Sequence, residues 1–331
     1  MKILFYVRED YLKNLAGDSI QMLKTKEYLE KLGIDITVSS NPNEDLEQYD
    51  LIHLYNTIRV QDTYSFFINA HRYKKKVVIS PIYWNYIDYT PKGKYNDLEQ
   101  IYWKEGDRLR EKVLKNVDRI LPSAEIEMKK IKEIFNVQTD YTIIPNGVDE
   151  EFAKGDGELF IKEHKMNDFI LCVGRVCPHK NQLSLAEVAK KMQLPLVLVG
   201  PVNDLQYFHK CIKTNSNIIY LSKINHLQLA SIYKAARIHA LVSWYEIPGL
   251  ANLEAALAGC NIVTTEEGST KEYFIDYAKY VDPKNIVSIE DRINEAWNQE
   301  KNHQISEYIK ANYLWDIVAE KLLKVYKELL E

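Results

Sequence analysis

Two glutamates, Glu246 and Glu254, stand in the stretch EIPGLANLEAALAGCN with seven residues between them, and a proline and a glycine follow soon after the first. Two carboxylates so close invite an acid/base pair, but the residues around them point to separate tasks. From Pro248 on the stretch is nearly all small or apolar and ends at Gly259, the pattern of a buried helix with glycine as its stop. Gly249, Leu250 and Ala251 then lie at or near its N-terminus, where amides without intrahelical partners favour an anion. A glutamate inside such a helix is costly unless partnered. Glu254 lies one turn from Leu250 on the same face, well placed to accept two hydroxyls of a ribose beside a phosphate held by those amides. Glu246, in the turn, could meet a sugar beyond the phosphates. The alternative is a solvated turn residue at 246 and a partner for a buried polar group at 254; these residues alone leave both readings open.

A second constellation runs Gly174-Arg175-Val176-Cys177-Pro178-His179-Lys180-Asn181. Gly174 lets the chain leave a strand tightly, and Arg175 and Lys180 put two cations on one short loop ahead of a helix beginning near Gln182. A diphosphate suits such a loop, because guanidinium offers a planar fork, ammonium a point charge, and the helix end free amides. Two solvated surface cations are the competing reading, and position decides against it: the loop opens a new βα series.

The elements that position both loops follow from the apolar runs. KILFYV, DITVSS, LIHLYN, KVVISPIY and RILPS read as strands of a covered parallel sheet, with helical patterns between them. The same alternation restarts after about residue 165 with FILCVG, LPLVLVG, NIIYLS, IHALVSW and NIVTT, then AKYVD. Between the two series IPNGVDEEFAKGDGE reads as a linker at roughly 145 to 160. An α/β chain with two Rossmann-like domains facing each other across a cleft is the expectation, and a length of 331 residues suits two domains of about 150 each.

Composition narrows the chemistry. Lys+Arg number 43 against 47 Asp+Glu, so no overall field draws the chain to nucleic acid. Neither an apolar run of about 18 residues nor a signal-type leader is present, which predicts a cytoplasmic protein. Cys172, Cys177, Cys211 and Cys260 lack CxxC spacing and a histidine cluster, as reduced thiols do and zinc ligands do not.

Taken together, E-x-P-G-L-x-x-x-E, the earlier G-R-x-x-x-x-K and IPNGVD resemble the retaining glycosyltransferases of family 4, with GT-B fold. The resemblance spans the chain, strongly over 143–326 and weakly before. It implies an acceptor-side domain over 1–150, a nucleotide-sugar donor domain over 151–310, and a terminal helix over 311–331, in WDIVAEKLLKVY, packing back on the first domain. It implies catalytic roles for Arg175 and Lys180, which neutralise the leaving diphosphate, and for Glu246, which with the amides of Gly249, Leu250 and Ala251 positions the donor sugar and phosphate. Glu254 would hold the ribose, and Gly174 and Gly17 would let the backbone approach the donor. Two cations and a helix end can take the role of a divalent ion, so the resemblance implies no metal and no cofactor beyond the nucleotide-sugar co-substrate. The acceptor would be a saccharide or lipid-linked saccharide of a surface glycan.

Two places in the first domain depart from the family pattern. Ala16-Gly17 stands where a Gly-Gly pair is usual, and SPIYWNYIDYTP replaces a His-Asp pair. There Tyr83, Trp84 and Asn85 could contact the acceptor or sugar, and the rings of Tyr83, Trp84, Tyr86 and Tyr89 could stack on it, though packing under a loop is the commoner fate of such rings. Between Lys104 and Lys132 nine Lys/Arg oppose six Asp/Glu, which could dock the protein on the inner face of an anionic membrane or simply be a solvated face. Two other functions remain open here: a GT-B nucleotide-sugar 2-epimerase, and a non-catalytic nucleotide-sugar-binding protein. For a metal-independent transferase, exhaustive chelation should leave turnover unchanged; loss of activity restored by manganese would contradict this.

Overall fold

The computed structural model describes residues 1–13, 16–85, 97–222, 224–301 and 303–331, with the backbone alone at 97–100. Tyr86 and Tyr89 lie outside the described residues. The chain divides into two compact units, one of Met1–Gly147 with Trp315–Glu331, the other of Val148–Leu314.

The first unit holds strands β1 (Lys2–Tyr6), β2 (Asp35–Ser39), β3 (Leu51–Tyr55), β4 (Lys76–Ser80) and β5 (Arg119–Ile120), all parallel, in the order β2-β1-β3-β4-β5. Every residue of β3 is buried, so helices cover both faces of the sheet, as the continuous apolar runs require. One of those helices is the last in the chain, Trp315–Leu330, which packs against the Gly17–Lys31 helix. Its Tyr326 hydroxyl lies 2.6 Å from Nδ1 of His53 in β3, and the other ring nitrogen is 2.9 Å from the Ser80 hydroxyl. Burial pushes the His53 pKa down to about 3, so the imidazole is a neutral, fully partnered core group.

The second unit holds β6 (Ile170–Val173), β7 (Leu196–Val199), β8 (Ile219–Leu221), β9 (Ile238–Leu241), β10 (Asn261–Thr265) and β11 (Ala278–Val281), again all parallel, in the order β11-β10-β9-β6-β7-β8. The chain builds outward from β6 through β7 to β8, then returns to the other side of β6 with β9. Strand order therefore reverses between β6 and β9, and open parallel sheets bind ligands beyond the carboxyl ends of their strands at such a reversal. The GRVCPHKN loop follows β6 and the EIPG turn follows β9. Two loops 66 residues apart in sequence, counted from Lys180 to Glu246, are neighbours for this topological reason.

Among the described residues no helix is long and apolar enough to cross a membrane. The basic segment is largely engaged within its own unit. Arg110 is buried and bonded to Asp107 and the Thr57 carbonyl, Lys115 pairs with Glu111, and Arg119 with Glu328. Lys112, Lys130 and Lys132 lie over the rings of Tyr64, Trp84 and Tyr141. Tyr326→Phe would remove a partner of the buried His53 ring and should lower the stability of the first unit by about 1–3 kcal/mol. Urea denaturation reads it, and an unchanged midpoint would contradict a role for this bond in holding the terminal helix.

Candidate functional site

Four consecutive residues of the first loop, Pro178 to Asn181, reach the second. After β6 the chain passes Gly174 and Arg175, makes a short 3-10 turn over Pro178–Lys180, and enters the Gln182–Lys191 helix through Asn181 in the left-handed region, φ 55°. Asparagine tolerates that conformation better than most residues. Its buried side-chain amide donates to the carbonyls of Val242 and Pro283, each at 3.1 Å. The His179 carbonyl accepts the Trp244 amide at 3.0 Å, and the Trp244 indole donates to the Pro178 carbonyl at 3.1 Å. Between them, Lys180 Nζ donates to Glu246 Oε1 at 2.5 Å, and the Ser243 hydroxyl donates to the same oxygen.

Glu246 is only 5% exposed. Burial pushes its carboxyl up, but Lys180, with smaller help from His179 and the Ser243 hydroxyl, more than offsets this, and the group stays below its ordinary value. Its stabilising effect is thus present above the ordinary carboxylate range and is lost as pH falls through the lowered folded value. Glu246 lies in the turn, as the sequence suggests, but its carboxylate is buried there and grips Lys180. Arg175, partly exposed, forms no ion pair with a described residue. The loop's two cations therefore differ: one is tied to a buried carboxylate and one is available.

Two glycines make room for Glu246, one for its carboxylate and one for its backbone. Gly249 has φ +82°, and a Cβ there would lie 3.0 Å from Glu246 Oε2. Gly268, in the loop after β10, has φ +107°, and a Cβ would collide with the Glu246 carbonyl oxygen. The latter, Asn181 and Ser243 all escaped the sequence reading. A Gly-Ser pair after a strand and a Lys-Asn step before a helix were the available signals.

The Leu250–Ala258 helix starts after Gly249 and stops at Gly259 in the left-handed region. Asn252, Leu253 and residues 255–258 are buried, leaving Gly249, Leu250, Ala251 and Glu254 as its accessible stripe. Under it, Asn252 is bonded at every polar position. Its Oδ1 meets His239 Nδ1 at 3.0 Å, and its Nδ2 donates to the Pro248 carbonyl and the Thr264 hydroxyl. The other His239 nitrogen accepts the Val173 amide at 3.3 Å, and burial pushes this pKa down to about 3. A neutral, buried chain thus connects the end of β6 to the turn that opens the helix.

Of the remaining expected residues, all but Gly174 lie in the first unit. Gly17 begins the Gly17–Lys31 helix, and a Cβ there would meet nothing within 4 Å, so the fold itself does not demand glycine. Gly174, in the second unit, faces the Lys180 stem at ordinary contact distance. The stacking role expected of Tyr83 and Trp84 is corrected: both are buried, at 0% and 1% exposure. Tyr83 packs against Trp103 and Phe135, and Trp84 lies beneath Lys130, so neither ring offers an open face to a sugar. Asn85 is partly exposed. Among the described residues there is no group of three or more His, Cys, Asp or Glu that could hold a metal.

Two parallel-sheet Rossmann-like units are the architecture of GT-B glycosyltransferases, and solved structures of that kind align along nearly the whole chain. Sucrose-phosphate synthase from Thermosynechococcus elongatus gives a TM-score of 0.82 at 14% identity, covering 99% of both chains. Anabaena HepE, in complex with UDP and glucose, gives 0.76 at 15% identity over 99% of this chain and 100% of its own. In sequence, residues 158–312 match the family described as glycosyl transferases group 1. The UDP-Gal:alpha-D-GlcNAc-diphosphoundecaprenol alpha-1,3-galactosyltransferase of Escherichia coli is 36% identical over 146 residues, 39% of this chain and 37% of the relative. The O-antigen chain mannosyltransferase C of Escherichia coli is 24% identical over 203 residues, 58% of this chain and 54% of the relative. The chain thus matches about a third to a half of the length of these two relatives.

Replacing Lys180 by methionine would strand a buried carboxylate, which should cost about 3–5 kcal/mol of stability. Arg175→Met should stay within about 0.5 kcal/mol of the parent. Adding Glu246→Gln to Lys180→Met should regain part of the loss. Equal unfolding midpoints for the two single variants would contradict the pairing.

Proposed function

We propose that this protein is a glycosyltransferase that moves a hexose, with retention and without a metal ion, from a nucleotide-sugar to a saccharide or lipid-linked saccharide acceptor in surface-glycan synthesis. One observation carries the reading: two loops at the strand-order reversal of the second unit meet through Lys180 and Glu246 just before a helix N-terminus, and the first of them also carries the available Arg175. All of it lies within the segment that matches group 1 glycosyl transferases. Support for the acceptor class comes from the two Escherichia coli relatives, named for a diphosphoundecaprenol-linked acceptor and for O-antigen chains. HepE, named in complex with UDP and glucose, supports a nucleotide at this fold.

In this reading the difficulty of the reaction is negative charge gathering on the diphosphate as the glycosidic bond breaks. The Arg175 guanidinium, the Lys180 ammonium and the amides of Gly249, Leu250 and Ala251 are fixed donors for that charge, so little reorganisation is needed at the moment of cleavage. Lys180 would share its protons between Glu246 and a phosphate oxygen, and Glu246 would set where that ammonium stands. The leaving phosphate would help to deprotonate the acceptor on the same face, which retains configuration and needs no protein nucleophile. Glu254, on the accessible stripe one turn further along, would take the ribose hydroxyls. Contact with anionic membrane belongs to the same reading through the lipid-linked acceptor.

The test is hydrolytic turnover of a panel of uridine and guanosine diphosphate hexoses, followed by release of free sugar. Arg175→Ala should lower the rate about 10²-fold or more while the melting curve stays unchanged. A near-parental rate in that variant would overturn the assignment of the phosphate loop.

A further inference from the structure

The Tyr233 hydroxyl donates to Glu254 Oε2 at 2.8 Å from the His226–Ala235 helix, which runs beside the Leu250–Ala258 helix. Tyr233 is fully buried. Its ring is held edge-on by Phe152, at 5.7 Å between centroids, and by His239 at 5.6 Å. His239 is the same residue that bridges Val173 and Asn252 beneath the donor loops. A phenol locked in this way has one place for its proton, and that is the carboxylate above it.

We propose that Tyr233 is a positioning residue for nucleotide recognition, aiming the Glu254 carboxylate at the vicinal hydroxyls of a ribonucleoside diphosphate. The proposal rests on the reading of Glu254 given above and adds a determinant that touches no ligand. Glutamate loses considerable rotamer freedom when its carboxylate is fixed. A half-buried side chain already pinned through one oxygen gives up that freedom before the ligand arrives, which is the gain of preorganisation. An ionised carboxylate has about four acceptor positions, and the phenol takes one of them. Burial pushes the Tyr233 pKa well up, and the neighbouring Glu254 adds to it, so the phenol remains a donor through the physiological range. Helix packing alone would need only an apolar ring at 233.

Binding of the ribonucleoside diphosphate that fits best among uridine, guanosine and adenosine diphosphates should be compared with binding of its 2′,3′-dideoxy analogue. Titration would use the parent, Tyr233→Phe and Glu254→Gln. The parent should prefer the ribose form by tenfold or more. Tyr233→Phe should weaken the ribose form about five- to tenfold and leave the dideoxy form unchanged. Equal losses for both ligands would assign Tyr233 a purely structural role and overturn the proposal. A parental preference kept in Tyr233→Phe but lost in Glu254→Gln would overturn it while sparing the ribose reading. A preference kept in Glu254→Gln, or no binding of any of the three diphosphates, would overturn that reading and the proposal together.

Discussion

A carboxylate taken out of water must find a cation or lose its charge, and Glu246 finds Lys180. Removing Lys180 leaves the buried carboxylate in a place where solvent cannot rescue it. The surrounding geometry follows from that demand. The 3-10 turn over Pro178–Lys180 lifts the ammonium toward the β9 loop, and Asn181 takes a left-handed conformation so that its amide can hold the Val242 and Pro283 carbonyls. Gly249 and Gly268 are glycines because the carboxylate and its own backbone occupy the space a side chain would need. The adjacency of β6 and β9 supplies the setting, and the ion pair fixes the spacing of the two loops within it.

The pair also divides labour between the two cations. Lys180 is anchored by Glu246, while Arg175 is partly exposed; in the proposed reading an arriving phosphate would meet an ammonium already in place and a guanidinium fork still open to it. Beneath them, the Val173, His239, Asn252 and Pro248 chain is fully satisfied and holds no net charge. With His239 pushed down to about 3, this support does not titrate near neutrality. A rigid floor, one buried pair and one open cation form an arrangement suited to stabilising charge that grows during a reaction, since fixed dipoles need not reorient.

Much of this could be read in the sequence. The apolar runs of all eleven strands and the glycines bounding the Leu250–Ala258 helix are local signals, set by burial on both sheet faces and by left-handed backbone at Gly259. The accessible stripe of that helix follows from helical spacing alone. The partners were not legible. Nothing near Glu246 announces that Lys180 will pair with it, because strand order rather than sequence distance brings the two loops together. Tyr233 lies 21 residues before Glu254 and reads as one more core aromatic. For Tyr83 and Trp84 the sequence left a sugar platform and packing under a loop as alternatives, and both rings are buried.

Hydrogen exchange of the backbone, measured with and without a nucleoside diphosphate, most directly tests whether the two converging loops form the donor grip. Binding should slow exchange in the peptides covering Gly174 to Asn181 and Glu246 to Ala251, where the loop and the helix N-terminus present their amides. Saturating ligand that leaves both peptides unchanged while protecting other segments would contradict the donor site described above.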